Sequence, residues 1–192
     1  MKTKRSERGF TLIELAVVVV IVGVLAVLAV VGYRKMIDSS RVTEGSHMVQ
    51  AIRVAQETYH SETGRYYNAG WAKLCPHNVV VGSPPSKTKM NWAPGCNGGT
   101  ATWAPLPVHT DGPVLFGYVT QGGTVDNAGT ATPALPGSLS GATIAAGTVP
   151  NNVDYYVVGA AADIDGDGSA GKNTVIIGSS FSNELLTYND GQ

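Results

Sequence analysis

From Leu15 to Val31 the chain runs through seventeen residues without a polar side chain, and between Phe10 and Tyr33 its only charge is Glu14. As a helix rising about 1.5 Å per residue, the window from Phe10 to Tyr33 spans roughly 36 Å, enough to cross a hydrocarbon layer of about 30 Å. Beyond Tyr33 the helical pattern continues but becomes one-sided. Tyr33, Ile37, Val42, Met48, Ile52, Ala55 and Tyr59 recur at helical spacing with small Gly45 in the stripe, while Arg34, Asp38, Arg53, Glu57 and His60 fall elsewhere. Arg53 and Glu57, four apart, are spaced to pair on the exposed side. Ser61-Glu62-Thr63-Gly64 closes the run, Gly64 suiting the left-handed residue after a helix end. The pattern therefore predicts one helix from about Phe10 to Thr63, roughly 80 Å long, with an apolar half (10–33) and an amphipathic half (34–63).

After Gly64 the sequence changes to Pro-, Gly-, Asn- and Ser-rich stretches separated by short β-like runs. The expected strands are Val79 to Val81, Val114 to Thr120, Asp154 to Ala160, Thr174 to Ile177 and Glu184 to Tyr188. Gly122 to Pro150, rich in Gly, Ala, Thr and Pro with almost no charge, reads as a long surface insertion or a partner contact. Residues 64–192 form the one globular unit that 192 residues allow beside such a helix.

Composition sharpens this picture. Charged residues are only 14%, and 24 Gly with 10 Pro fit an apolar segment joined to loop-rich structure. The net charge of −1 hides a gradient: +3 over residues 1–9, +3 over 10–98 and −7 from Gly99 onward. The acidic C-terminal half disfavours direct nucleic-acid binding and suits hard cations. Lys2, Lys4, Arg5 and Arg8 before the apolar run outweigh Arg34 and Lys35 after it, which places the N-terminus in the cytoplasm and the globular part outside. A cleaved secretory signal ending near Leu25-Ala26-Val27-Leu28-Ala29 is the competing reading, opposed by the unbroken helical pattern that follows.

Three groups carry candidate chemistry. Glu14, a carboxylate within the apolar run, costs several kcal/mol in hydrocarbon unless it is paired or snorkels to the interface. Cys75 and Cys96, the only cysteines, read outside the cytoplasm as one disulfide closing twenty residues, worth roughly 3 kcal/mol. A metal role with His77 is the sharper alternative, although the set lacks zinc-site spacing. Asp163, Asp165 and Asp167 alternate before Gly168 like the first half of an EF-hand loop, converging on Ca²⁺. Position twelve is Thr174 instead of Glu, so the loop is incomplete, and the competing reading is a Gly-Asp turn between strands. Mutual repulsion of the three carboxylates motivates the Ca²⁺ reading. His47, His60 and His109 are scattered and support no catalytic constellation.

The run Arg8-Gly9-Phe10-Thr11-Leu12-Ile13-Glu14, after a short basic leader and before a long apolar helix, resembles the N-terminal signature of type IV prepilins and type II secretion pseudopilins. The resemblance implies an α+β, type IV pilin-like fold, with a long N-terminal helix packed on a small antiparallel sheet of about four strands. It also implies that prepilin peptidase removes residues 1–9 by cutting between Gly9 and Phe10, that the new Phe10 amine is methylated, and that Glu14 pairs with that amine on a neighbouring subunit. Where many pilins carry a helix-softening proline, this chain has Val31 and Gly32. Tyr155 to Gly168 and Pro113 to Tyr118 resemble, more loosely, strands and an acidic loop of longer pilins. The expected function is a structural pilin, major or minor, with no required cofactor. It would be held in the bacterial inner membrane by its helix, meet the pilus assembly machinery there, and be built with copies of itself or other pilins into a filament. A pseudopilin ranks second, since the globular half lacks the Pro-Trp-Gly-type segment associated with major pseudopilins. An uncut, membrane-anchored Ca²⁺-binding module is the reading from another class, and an enzyme is the weakest.

Overall fold

The computed structural model describes residues 9–96, 102–128, 130–134, 136, 138–140, 142–144 and 151–189. Nearly all of the expected leader, parts of the 122–150 segment and Asp190 lie outside the described residues. The chain divides into two units, one ending at Ile37 and one beginning at Asp38.

One helix, α1 (Leu12–Thr63), is the only long helix among the described residues, and its limits agree with the pattern to within two positions. In the first unit its large apolar side chains from Leu12 to Met36 are all exposed. By length and composition this stretch is able to cross a membrane.

In the second unit α1 buries Val42, Gly45, Met48, Val49, Ile52, Ala55 and Gln56. Val49 and Gln56 extend the expected stripe, because the sheet beneath is wide enough to cover flanking positions. Gly45 lies where a Cβ would come within 2.9 Å of both Ile176 Cδ1 and the Phe116 ring, so only glycine lets helix and sheet meet at this distance. Gln56, fully buried, makes the join directional. Its amide donates to Tyr67 O and Thr120 Oγ1, each at 2.8 Å, and its carbonyl accepts the Tyr67 N–H at 2.8 Å. Every polar atom of that side chain is thereby satisfied in a dry site. Arg53 and Glu57 do not pair. The Arg53 guanidinium donates instead to the carbonyls of Ser179, Ser182 and Asn183, while Glu57 accepts from the Tyr66 hydroxyl. Three converging backbone acceptors outcompete one exposed carboxylate, since surface ion pairs contribute little.

The sheet is antiparallel throughout and larger than expected. Its strands are β1 (Gly70–Cys75), β2 (Val79–Val80), β3 (Gly117–Val125), β4 (Ala131–Thr132), β7 (Asp154–Ala162), β8 (Thr174–Ser179) and β9 (Ser182–Tyr188). The order is β2-β1-β3-β7-β8-β9, with β4 also on β3. A separate hairpin pairs β5 (Ser138–Leu139) with β6 (Ala142–Thr143). The sheet alternates between two cores. Tyr156, Val158, Ala160 and Ile176 face one that includes the helix residues, and Tyr155, Val157, Val175 and Ile177 face another that includes Leu139, Ala142 and Ile144. A strand covered on both faces reads as a continuous apolar run, as Tyr155 to Ala162 does.

Two expectations change here. The strand expected over Val114 to Thr120 is Gly117–Val125. Val114 to Phe116 are buried before the strand begins, and the ladder continues through Gly122 and Gly123, where a Cβ would meet the Tyr66 and Thr132 carbonyls at 2.7 and 2.6 Å. Gly122 to Pro150 is not a plain surface insertion where it is described. It completes β3, adds β4, and lays the β5–β6 hairpin over the second face of the sheet, which would otherwise expose its apolar side chains. Strand β1, whose Gly-Trp-Ala-Lys start shows no alternation, was not expected at all.

The close approach at Gly45 yields a direct test. Gly45→Val inserts an isopropyl group into a filled contact and lowers stability by about 1–3 kcal/mol, read as a lower thermal midpoint of the globular transition by circular dichroism.

Candidate functional site

Glu14 enters the helix in a specific local geometry. Thr11, just before α1, donates its backbone N–H to Glu14 Oε2 at 2.9 Å and its hydroxyl to the same oxygen at 2.7 Å. The Glu14 N–H returns a longer bond of 3.3 Å to Thr11 Oγ1. This is a capping box, in which the residue before the helix and the third residue within it satisfy one another's donors. The signal Thr-x-x-Glu is visible in the sequence. Gly9 and Phe10, between which cleavage is expected, lie exposed before the cap. The box positions the carboxylate at the mouth of the helix, where it can accept a further donor.

The acidic loop joins β7 to β8. Ligand oxygens of Asp163, Asp165 and Asp167 lie within 4.8 Å of one another, so the three do converge as the sequence suggested. Asp163, nearly buried, accepts the N–H groups of Gly166 at 2.6 Å and Gly168 at 3.1 Å. Asp165 accepts from Asp167 N–H at 3.3 Å, and Asp167 accepts from Ser169 N–H at 2.7 Å. Lys172 Nζ stands 3.1 Å from Asp167 Oδ2. The Ser169 N–H first, and the Lys172 ammonium with it, hold the Asp167 carboxyl below its ordinary range, and Lys87 adds to the same pull. The Lys87 stem lies directly over Gly166, with no room for a Cβ between them.

Repulsion among the carboxylates is therefore relieved from within the fold by backbone donors and two lysines, which removes the reason first given for a cation. The donor set remains one of hard oxygens. The position that an EF-hand gives to Glu is taken by Thr174, buried in β8 with its hydroxyl donating to Asn189 O. Arg41 anchors the loop to α1 by a bond to Ile164 O at 3.3 Å.

Cys75 and Cys96 are joined in a disulfide, so neither offers a thiolate and the metal alternative with His77 loses two of its three ligands. His77 is buried, and neither ring nitrogen has a hydrogen-bond partner among the described residues. Burial pushes its imidazole pKa below the ordinary value. His60 stacks on Tyr66 at 4.3 Å and approaches Asp154 at 3.9 Å. Burial and the Glu57 carboxylate push the Tyr66 phenol up to about 12. His47 and His109, scattered in sequence, line the same cavity against the helix.

The buried His77 makes stability depend on pH. With its folded-state pKa depressed, the unfolded chain binds the proton more readily, so stability is full above about pH 6.5 and falls as pH drops from there toward the folded value. Urea midpoints between pH 7 and 5 are expected to decline for the wild type and to decline less for His77→Phe.

Comparison with known proteins gives the following. Residues 4–30 match the model of the prokaryotic N-terminal methylation motif. The type IV major pilin protein PilA of Myxococcus xanthus is 42% identical over 59 residues, 31% of this chain and 27% of that protein. The type II secretion system core protein G of Pseudomonas aeruginosa is 40% identical over 89 residues, 46% of this chain and 61% of that protein. The type IV major fimbrial protein FimA of Dichelobacter nodosus is 39% identical over 51 residues, 27% of this chain and 32% of that protein. The chain thus matches less than two thirds of the length of each. No solved structure matches it.

Proposed function

We propose that this chain is a structural subunit of a type IV pilus, anchored in the bacterial inner membrane with its N-terminus in the cytoplasm and assembled through α1 into a helical filament. The observation that carries the reading is the methylation motif over residues 4–30, set immediately before an apolar helix half whose large side chains are all exposed. An uncovered apolar surface of this length requires lipid or neighbouring helices. In this reading prepilin peptidase cuts between Gly9 and Phe10, and the methylated Phe10 amine becomes a cation in hydrocarbon. Glu14 of a neighbouring copy, presented by its capping box, supplies the anion. Other pilins, minor or major, would pack by the same helix. The chain works by assembly and performs no catalysis.

A second reading, a subunit of a type II secretion pseudopilus, draws support from the 89-residue match to core protein G, which is longer than the helix alone. Both readings share cleavage, methylation and Glu14 pairing. An uncut anchored module is the reading they oppose.

Mass spectrometry of the N-terminal peptide from membranes and sheared filaments tests the proposal. A chain beginning with methylated Phe10 in both fractions is expected, while an intact Met1 confined to membranes would overturn it. Glu14→Val is expected to be cleaved normally yet to be depleted from filaments by roughly tenfold or more, the effect of leaving one buried charge unpaired. Normal incorporation would defeat the pairing.

The acidic loop belongs to the proposal as a Ca²⁺ site that clamps the β7–β8 connection, with Asp163, Asp165 and Asp167 as ligands. Addition of Ca²⁺ to the full chain in detergent is expected to raise its thermal midpoint, and Asp165→Asn, at the exposed and least internally bonded carboxylate, to abolish the rise. An unchanged midpoint at millimolar Ca²⁺, or an equal rise in the variant, would reject it.

A further inference from the structure

The helix face beside the buried stripe borders a cavity that the filament reading does not employ. Glu44, His47, Met48 and Ala51 follow at spacings of three and four, so they form one strip along α1. The loop from His109 to Val114 stands opposite, and Tyr118 closes the floor. Between them lies a cavity of about 410 Å³, within the range of small-molecule sites, which begins near 300 Å³. A neighbouring cavity of about 310 Å³ on the other side of the same loop is lined by Asn91 and Trp92.

The chemistry of the lining is uneven. Met48, Val114 and Tyr118 are buried and make an apolar floor. The rim carries Glu44, Asp111 and two imidazoles, and no lysine or arginine lines the cavity. Glu44 is occupied: it meets Lys89 Nζ at 2.7 Å and accepts the Leu115 N–H at 3.2 Å. Asp111, by contrast, is exposed and has no hydrogen bond or ion pair among the described residues. The Tyr118 hydroxyl is fully buried and has no partner among the described residues, a condition that costs stability until something supplies one. Burial, reinforced by the Glu44 carboxylate, keeps that phenol protonated.

We propose that this cavity binds a small organic ammonium group, its apolar stem against Met48 and Val114 and its charged head between Asp111 and the imidazoles of His47 and His109. An anion would face two carboxylates and no cation in the lining. An uncharged apolar ligand would desolvate Asp111 without compensating it. An ammonium on an alkyl stem satisfies floor and rim together, and its N–H donors suit acceptors throughout the rim. The same chemistry is offered by a free alkylamine and by the lysine side chain of another copy.

The test uses the isotopically labelled full chain in detergent micelles, titrated with n-butylammonium, with butyrate and butanol as anionic and neutral controls of similar size. Saturable shifts of the Ala51, Asp111 and Val114 amide resonances are expected with butylammonium alone. Asp111→Asn, at an exposed position, should weaken binding by about tenfold, and Ala51→Phe, also exposed, should remove it by filling the space. No saturation below about 100 mM, near the weak limit for a five-atom ligand, would overturn the proposal. So would equal shifts with butyrate or butanol, or unchanged affinity in Asp111→Asn. Carbodiimide coupling of membranes carrying the chain then identifies the source. An amide between Asp111 and a lysine of a second copy assigns the ammonium to a neighbour. Probe binding without that product assigns it to a free amine.

Discussion

The globular unit depends on one contact, the burial of the helix stripe from Val42 to Gln56 against β3, β7 and β8. Two features of that stripe are not interchangeable with generic apolar residues. Gly45 sets the distance, because the Ile176 and Phe116 side chains occupy the space of its missing Cβ. Gln56 sets the register, because its amide completes the hydrogen bonding of Tyr67 and reaches Thr120, whose hydroxyl in turn donates to Val157 O at 3.2 Å. A purely apolar stripe could slide along the sheet at little cost. A buried amide with three partners cannot, since each displaced partner would be left unpaired in a dry site. The sheet follows from this placement: with one face under α1 and the other under the β5–β6 hairpin, its central strands carry apolar residues at consecutive positions.

The helix was legible in the sequence because its signal is periodic and long, and its end at Thr63 is marked by Gly64. The strands with β-branched or aromatic runs, Asp154–Ala162 and Thr174–Ser179, were legible for the same local reason. What escaped was structure made by neighbours. Strand β1 and the Gln121 to Thr124 half of β3 have compositions typical of loops, and they are strands because β3 lies beside the first and β7 beside the second, with β4 joining at Thr124. The glycines of that stretch, which argued for a loop, are there because the backbone at Tyr66 and Thr132 comes too near for a side chain. At the candidate sites, the three aspartates converged as their alternation implied. Lys87, some eighty residues earlier, was beyond local reading. The cavity that gathers His47 and His109 required the fold.

Charge shows the same limit. Along the sequence the acids concentrate in the second half, which suggested an exposed acidic surface. In the fold, bases from the first half meet acids of the second: Lys87 lies over the acidic loop and His60 approaches Asp154. Backbone N–H groups take up most of the rest at Asp163, Asp165 and Asp167. Asp111 is, with Glu62 and Glu184, a carboxylate that has no partner among the described residues, and it is the one of these that borders the cavity of His47 and His109.

At the other end of the chain the capping box changes how assembly is to be understood. A lone glutamate in hydrocarbon would make the single subunit costly to hold in the membrane, yet Thr11 gives Glu14 two donors, so the waiting subunit is not left with a bare charge. The proposed pairing with a neighbour's amine must therefore add to these bonds or replace them. The Thr11 bonds are already charge-assisted through the ionised carboxylate, and an ammonium adds to them the attraction of a full opposite charge. The gain on assembly is then the difference between two satisfied states. In the proposed assembly, a subunit so arranged is stable while it waits in the bilayer and still gains from pairing with a neighbour.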